Sequence, residues 1–192
     1  FGPPVRFLDS AARSIFHKGF VAITATDTAP LSGTYPAACF RKYGIKTVKG
    51  TDYYAELGLR ILVSHVILAF ARWDRAFVPL LSHQTVHYFR TYGRMGRASE
   101  IEALLRQFGF VCHCQKCGNR KFGKSETVCD LCGSPYQIAG PLYLGPINDK
   151  KFCENVLADL SERAFRQKAR EMELLNAIIE ESVLPPFYYD IH

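Results

Sequence analysis

The sequence predicts an α/β fold carrying a small second domain, and three observations lead there. Residues 5–18 have helical spacing, close with Gly19, and are followed by the β-branched run Phe20-Val21-Ala22-Ile23-Thr24, so helix, glycine and buried strand stand in α/β order. A long apolar-faced helix over about residues 53–73 is followed by an alternating stretch. Finally, two Cys-x-x-Cys pairs, Cys114/Cys117 and Cys129/Cys132, announce a metal-organised module. With 192 residues, nearly half of them hydrophobic, the natural division is a domain over 1–95 and a second over 96–192. Within the second, residues of about 110–140 form the cysteine module and about 149–183 an amphipathic helix.

Taken in order, Phe7, Leu8, Ala11, Ala12 and Ile15 mark one side of the first helix. The run at Phe20 reads as a buried parallel strand, forming half of a βαβ unit whose first strand would lie before Phe1. After it comes Thr24-Ala25-Thr26-Asp27-Thr28-Ala29-Pro30. Ligands of open α/β sheets bind at the carboxyl ends of strands, so these hydroxyls and one carboxylate suit a pocket lip; ordinary turn capping by Asp27 or Thr28 fits equally well.

Pro36 suits the first turn of a short helix reaching Tyr43, and residues 46–51 form a polar linker. In the long helix, Glu56 and Arg60 stand four apart, the spacing of a surface ion pair, while His65 on the apolar face reads as a satisfied core residue. Residues 77–95 alternate as two strands or one bent one. There, His87-Tyr88-Phe89-Arg90-Thr91-Tyr92 interleaves rings with a base, suited to stacking on nucleobases or to plain sheet packing. A short helix over about 98–108 leads into the module, and Gly140-Pro141-Leu142-Tyr143-Leu144-Gly145-Pro146 reads as a loop after it. Pro185-Pro186 stops the last helix.

The two-residue gap in each cysteine pair points both thiolates at one ion, and Gly118 and Gly133 allow the turn beneath. Four sulfurs imply a closed, structural Zn²⁺ site. Disulfides would need an oxidising compartment, and nothing in the chain points to export. Cys112 breaks the paired spacing; Cys39 and Cys153 lie in apolar surroundings and read as buried thiols.

The net charge is +6, and residues 90–124 hold eight Lys/Arg against two Glu, so the rest of the chain is neutral overall. A zinc tetrathiolate returns about two negative charges, yet a basic belt remains around the module. That is the footprint of a phosphate-binding surface, although solvated charges alone would look similar. The longest apolar run, residues 61–71, is too short for a bilayer span. A reducing, cytoplasmic setting with no membrane partner is expected.

Several stretches together resemble the tRNA (guanine-26 N2)-dimethyltransferases, the archaeal branch most closely. They are Phe1-Gly2-Pro3-Pro4, Thr24-Ala25-Thr26-Asp27-Thr28-Ala29-Pro30-Leu31, Arg41-Lys42-Tyr43-Gly44, Glu56-Leu57-Gly58-Leu59-Arg60-Ile61-Leu62, Tyr143-Leu144-Gly145-Pro146, the two knuckles, and Pro185-Pro186-Phe187-Tyr188-Tyr189-Asp190. The resemblance implies the second half of a Rossmann-like class I methyltransferase domain, then a zinc-ribbon-containing α+β tRNA-binding domain. Phe1, Gly2 and Pro3 would be the remnant of the family's catalytic Asp-Pro-Phe-Gly-Ser-Pro motif, with Pro3 where Ser is common and Phe1 stacked on the flipped base. The motif's Asp, the glycine-rich cofactor loop and the acidic ribose-binding residue would precede the chain, leaving the S-adenosylmethionine contacts unassigned.

Thr24, Thr26, Asp27, Thr28, Arg60, Arg90 and Arg94 are the candidate substrate-binding residues, and Cys114, Cys117, Cys129 and Cys132 the zinc ligands. The implied partner is tRNA rather than DNA, and the chain reads as an interior fragment, inactive alone. A non-catalytic zinc-ribbon RNA-binding module is the alternative.

Overall fold

A computed structural model describes residues 2–187. Two three-stranded antiparallel sheets flank one long helix. Their elements are α1 (Leu8–Ser14), β1 (Phe20–Ala25), α2 (Thr28–Leu31), α3 (Pro36–Tyr43), α4 (Tyr54–Ala71), β2 (Ala76–Thr85), β3 (Tyr88–Gly96), α5 (Ile101–Leu105), β4 (Phe108–His113), β5 (Arg120–Gly123), β6 (Gln137–Tyr143), α6 (Lys150–Glu162) and α7 (Lys168–Glu181).

The first sheet has the order β1-β3-β2 and the second β5-β4-β6. Helix α4 packs against both β2 and β6, and Leu57, Ile61, Leu62, Val66 and Phe70 on it are almost completely buried. One hydrophobic cluster runs from Leu8 through α4 to Val111, Leu142 and Phe187, crossing the position where composition suggested a domain boundary. By length and hydropathy α4 would suit a membrane, yet 67% of it lies inside the fold, which makes it the central packing helix. Gly58 belongs to this packing: a Cβ there would stand 2.5 Å from the Phe89 ring, so only glycine lets β3 press onto the helix.

Several sequence expectations need correction. Strand β1 is neither fully buried nor parallel to its described neighbour. It pairs antiparallel with β3, Phe20 opposite Arg94 and Ala25 opposite Phe89, because the β2–β3 hairpin folds back and inserts its second strand beside it. Among the described residues no βαβ crossover forms. The first helix ends at Ser14, where Ile15 turns extended, well short of Gly19. The supposed loop at 140–146 is largely strand, since β6 continues to Tyr143.

The C-terminal helical region is two helices, α6 and α7, packed on each other. The break at residues 163–167 contains neither proline nor glycine; folding back lets both helices turn apolar side chains to the sheet. Asp149 caps α6 by accepting from the Phe152 amide at 2.7 Å. Helix α3 follows its sequence signals, opening at Pro36 and closing on Gly44 at φ +70°.

Candidate functional site

The turn before α1 and the lip after β1 meet. The Gly2 amide donates to Thr26 Oγ1 at 2.6 Å, and the Thr26 amide donates to the Gly2 carbonyl at 3.4 Å. Thr26 is thus the tie between two loops 24 residues apart, and Pro3 follows directly. Phe1, the expected base-stacking ring, lies outside the described residues.

Asp27 occupies the N-cap position of α2 but makes no capping bond. Its carboxylate accepts instead from the Tyr43 hydroxyl at 2.7 Å and the Lys42 ammonium at 3.1 Å, with 10% of the side chain exposed. Burial, reinforced by that hydrogen bond, pushes the Tyr43 phenol far up, so it stays a donor. Burial and then the Asp27 charge raise the neighbouring Cys39 thiol to about 12, keeping it protonated and inert. The lip therefore carries a fixed carboxylate. Sequence reasoning missed Lys42 and Tyr43, because separations of 15 and 16 residues leave no local signal. Thr28 opens α2 and its carbonyl accepts from the Ser32 amide.

On β3, Tyr88, Arg90, Tyr92 and Arg94 alternate with the buried Phe89, Thr91 and Met95 and share the face opposite α4. Arg90 donates to Thr24 Oγ1 at 2.7 Å and lies over the rings of Tyr88 and Tyr92, so Thr24 orients a guanidinium. His83 stacks on Tyr92 from the neighbouring strand. Burial, helped by the Arg90 charge, lowers the His83 pKa and leaves the ring neutral. Arg94 is bound by Glu100 at 2.6 Å, and that bond holds the Glu100 carboxyl below its usual range. A cavity of about 820 Å³ separates this face from α6 and α7.

Arg60 corrects its assignment as a substrate contact. It is 5% exposed and bonds inward: Nε to Glu56 at 2.9 Å, and Nη1 to the carbonyls of Tyr143 and Gly145 at 3.0 and 2.9 Å. Glu56 also accepts from the Phe187 amide at 2.6 Å. The i,i+4 pair is a buried clamp joining α4 to the end of β6.

The cysteine module is built on β4, β5 and the segment before β6. The Sγ atoms of Cys114, Cys117, Cys129 and Cys132 all lie within 4.8 Å of one another. Each knuckle is a matching turn: the Gly118 amide donates to the Cys114 carbonyl at 2.9 Å, and the Gly133 amide to that of Cys129 at 2.8 Å. Both glycines hold positive φ. Asn119 braces the site, donating to Cys129 Sγ at 3.5 Å and to Asp130 at 2.8 Å. Tetrahedral Zn–S bonds of about 2.3 Å put sulfurs about 3.8 Å apart; the pairs Cys114–Cys132 at 3.4 Å and Cys117–Cys129 at 3.6 Å match that spacing. Cys112 stays apart, its sulfur accepting from the Glu126 amide.

Comparisons with known proteins converge on one family. The model describing N2,N2-dimethylguanosine tRNA methyltransferases matches residues 1–192. A tRNA (guanine(26)-N(2))-dimethyltransferase from Methanothermobacter thermautotrophicus is 38% identical over 197 residues, covering 100% of this chain and 52% of that protein. A tRNA (guanine(26)-N(2)/guanine(27)-N(2))-dimethyltransferase from Aquifex aeolicus is 36% identical, covering 96% and 48%. The solved structure of Trm1 from Pyrococcus horikoshii, in complex with S-adenosyl-L-methionine, superposes with a TM-score of 0.86 at 31% identity, covering 99% of this chain and 50% of that one. The chain spans about half the length of the curated relatives it matches. It belongs to the N2,N2-dimethylguanosine tRNA methyltransferase family.

Proposed function

We propose that this chain is part of an S-adenosylmethionine-dependent enzyme that methylates the exocyclic N2 of guanine-26 in tRNA. The observation that carries the reading is the Gly2–Thr26 tie, which sets the opening turn against the Thr24–Asp27 lip at the end of β1. S-adenosylmethionine would supply the electrophilic methyl group. The guanine amine is a weak nucleophile because its lone pair is delocalised into the ring, so catalysis is mainly orientation of that amine. Gly2 and Pro3 would form one rim of the base slot, with Phe1 beside them. Thr26 fixes the rim, and Asp27, held by Tyr43 and Lys42, stabilises the opposite wall. Arg90 and Arg94, on the face shared with Thr24, would meet the RNA backbone.

The cysteine quartet would hold a structural Zn²⁺, with Cys114, Cys117, Cys129 and Cys132 as ligands; the donor set and the sulfur spacing support this. Such an ion would stiffen a zinc ribbon whose basic flank faces tRNA in the cytoplasm. The activity test joins this segment to the remaining half of a full-length relative and assays methyl transfer to tRNA transcripts bearing guanine or adenine at position 26. Methylation of the guanine transcript alone supports the reading; no transfer to either rejects it.

A further inference from the structure

A second, smaller cavity of about 320 Å³ opens between the segment after α2 and the linker before α4. Its lining is Ser32, Thr34, Lys49, Gly50, Thr51 and Tyr54: four hydroxyls, one ammonium and no carboxylate. The linker's one acid, Asp52, is bound through both oxygens by Arg120 at 2.6 Å, so it does not compete for Lys49. Thr51 is only 6% exposed, and its buried Oγ1 has no hydrogen-bond partner among the described residues. A buried hydroxyl without a partner typically costs about 1–3 kcal/mol, a cost that a ligand oxygen would remove.

The walls are fixed rather than fluid. Gly33 and Gly50 turn the chain at φ +79° and +70°, and a Cβ on Gly33 would strike the Val48 carbonyl. The linker is pinned from the cysteine module: Gln115, inside the first knuckle, donates to the Lys49 carbonyl at 2.8 Å, and the Gly140 amide donates to the Lys46 carbonyl at 2.9 Å. On the other wall, the Ser32 and Thr34 amides donate to Thr28 and Ala29, which places the cavity one helical turn from the lip.

We propose that this cavity is a cradle for an RNA phosphodiester, held by the Lys49 ammonium and the hydroxyls of Ser32, Thr34, Thr51 and Tyr54. It rests on the tRNA reading and deepens it. Its position beside the Thr24–Asp27 lip would anchor the backbone next to the base presented there, and the module would set the cradle through Gln115. A lysine–phosphate contact releases counterions, so its loss shows as a shallower salt dependence.

The test titrates a tRNA transcript against the zinc-loaded chain, its Lys49→Ala, Lys49→Arg and Thr51→Val variants, and a Lys151→Ala control on α6, from about 0.05 to 0.2 M salt. Lys49→Ala should weaken binding about 5- to 10-fold and lower the log–log salt slope by about 1, with Lys49→Arg largely preserved. Thr51→Val should weaken binding while leaving the melting temperature unchanged or higher, since it removes a buried hydroxyl without a partner. If Lys49→Ala and Thr51→Val titrate like the unmodified chain at every salt, the cradle is wrong and the tRNA reading survives. If the unmodified chain shows no salt-sensitive binding, both fall together.

Discussion

Arg60 and Glu56 share a clamp whose far ends are the Tyr143 and Gly145 carbonyls and the Phe187 amide, so one ion pair ties α4 to two distant stretches of chain. Breaking a buried pair by removing one partner costs about 3–5 kcal/mol, because the survivor is stranded. Arg60→Ala should therefore lower unfolding stability by about that amount in urea titrations. Its tRNA affinity per folded molecule, and the salt slope of that affinity, should match the unmodified chain; a lowered slope would return Arg60 to the RNA surface.

The Gly2–Thr26 bond is predicted to matter in proportion to how tightly it holds the turn. Thr26→Val removes the acceptor with little change of shape and should cost about 1 kcal/mol of stability. In the methyl-transfer assay with the segment joined to the remaining half of a full-length relative, a rim displaced by about 1 Å should slow turnover up to about 100-fold. The effect should fall on kcat more than on KM for tRNA.

Metal analysis of the purified chain should give about one zinc per molecule. Cys117→Ser, or a strong chelator, should release it and abolish protection of the β4–β6 amides in hydrogen exchange, since structural zinc contributes about 10–16 kcal/mol in small modules. Cys112→Ser should retain the ion, because its sulfur bonds the Glu126 amide and lies outside the quartet.

Acid should destabilise the fold from about pH 6.5 downward. His65, His83 and His113 all have their pKa lowered from the usual 6.5, in each case chiefly by burial. The unfolded chain then binds more protons than the folded one in this range. Stability is complete above 6.5 and drains away as pH falls toward the depressed values. Melting temperatures between pH 7.5 and 5 check the sign. His65→Gln, which can still donate to the Tyr43 carbonyl that His65 meets at 2.8 Å, should flatten part of the slope.

What the sequence revealed divides along local and distant information. Helix α3 was legible from Pro36 and Gly44, the knuckles from their spacing, and His65 as a satisfied, half-buried residue from its place on an apolar face. Glu56–Arg60 misled because an i,i+4 pair looks the same inside a protein as on its surface; only the arrival of β6 buries it. The antiparallel neighbour of β1 was not legible, since it is supplied by a hairpin formed about 65 residues later. The α6–α7 break carries no breaker residue, and the lip's real partners, Lys42 and Tyr43, are set by tertiary folding.

Helix α4 leaves a last consequence, for biosynthesis. A ribosome releases it long before β6 exists to cover it. While residues 72–143 are still being made, an 18-residue helix of mean hydropathy 1.5 stands with part of its surface bare. A translation pause in that interval would hand a sticky, membrane-like segment to chaperones or to aggregation, so codon changes between residues 72 and 143 should alter the yield of folded protein without altering its sequence.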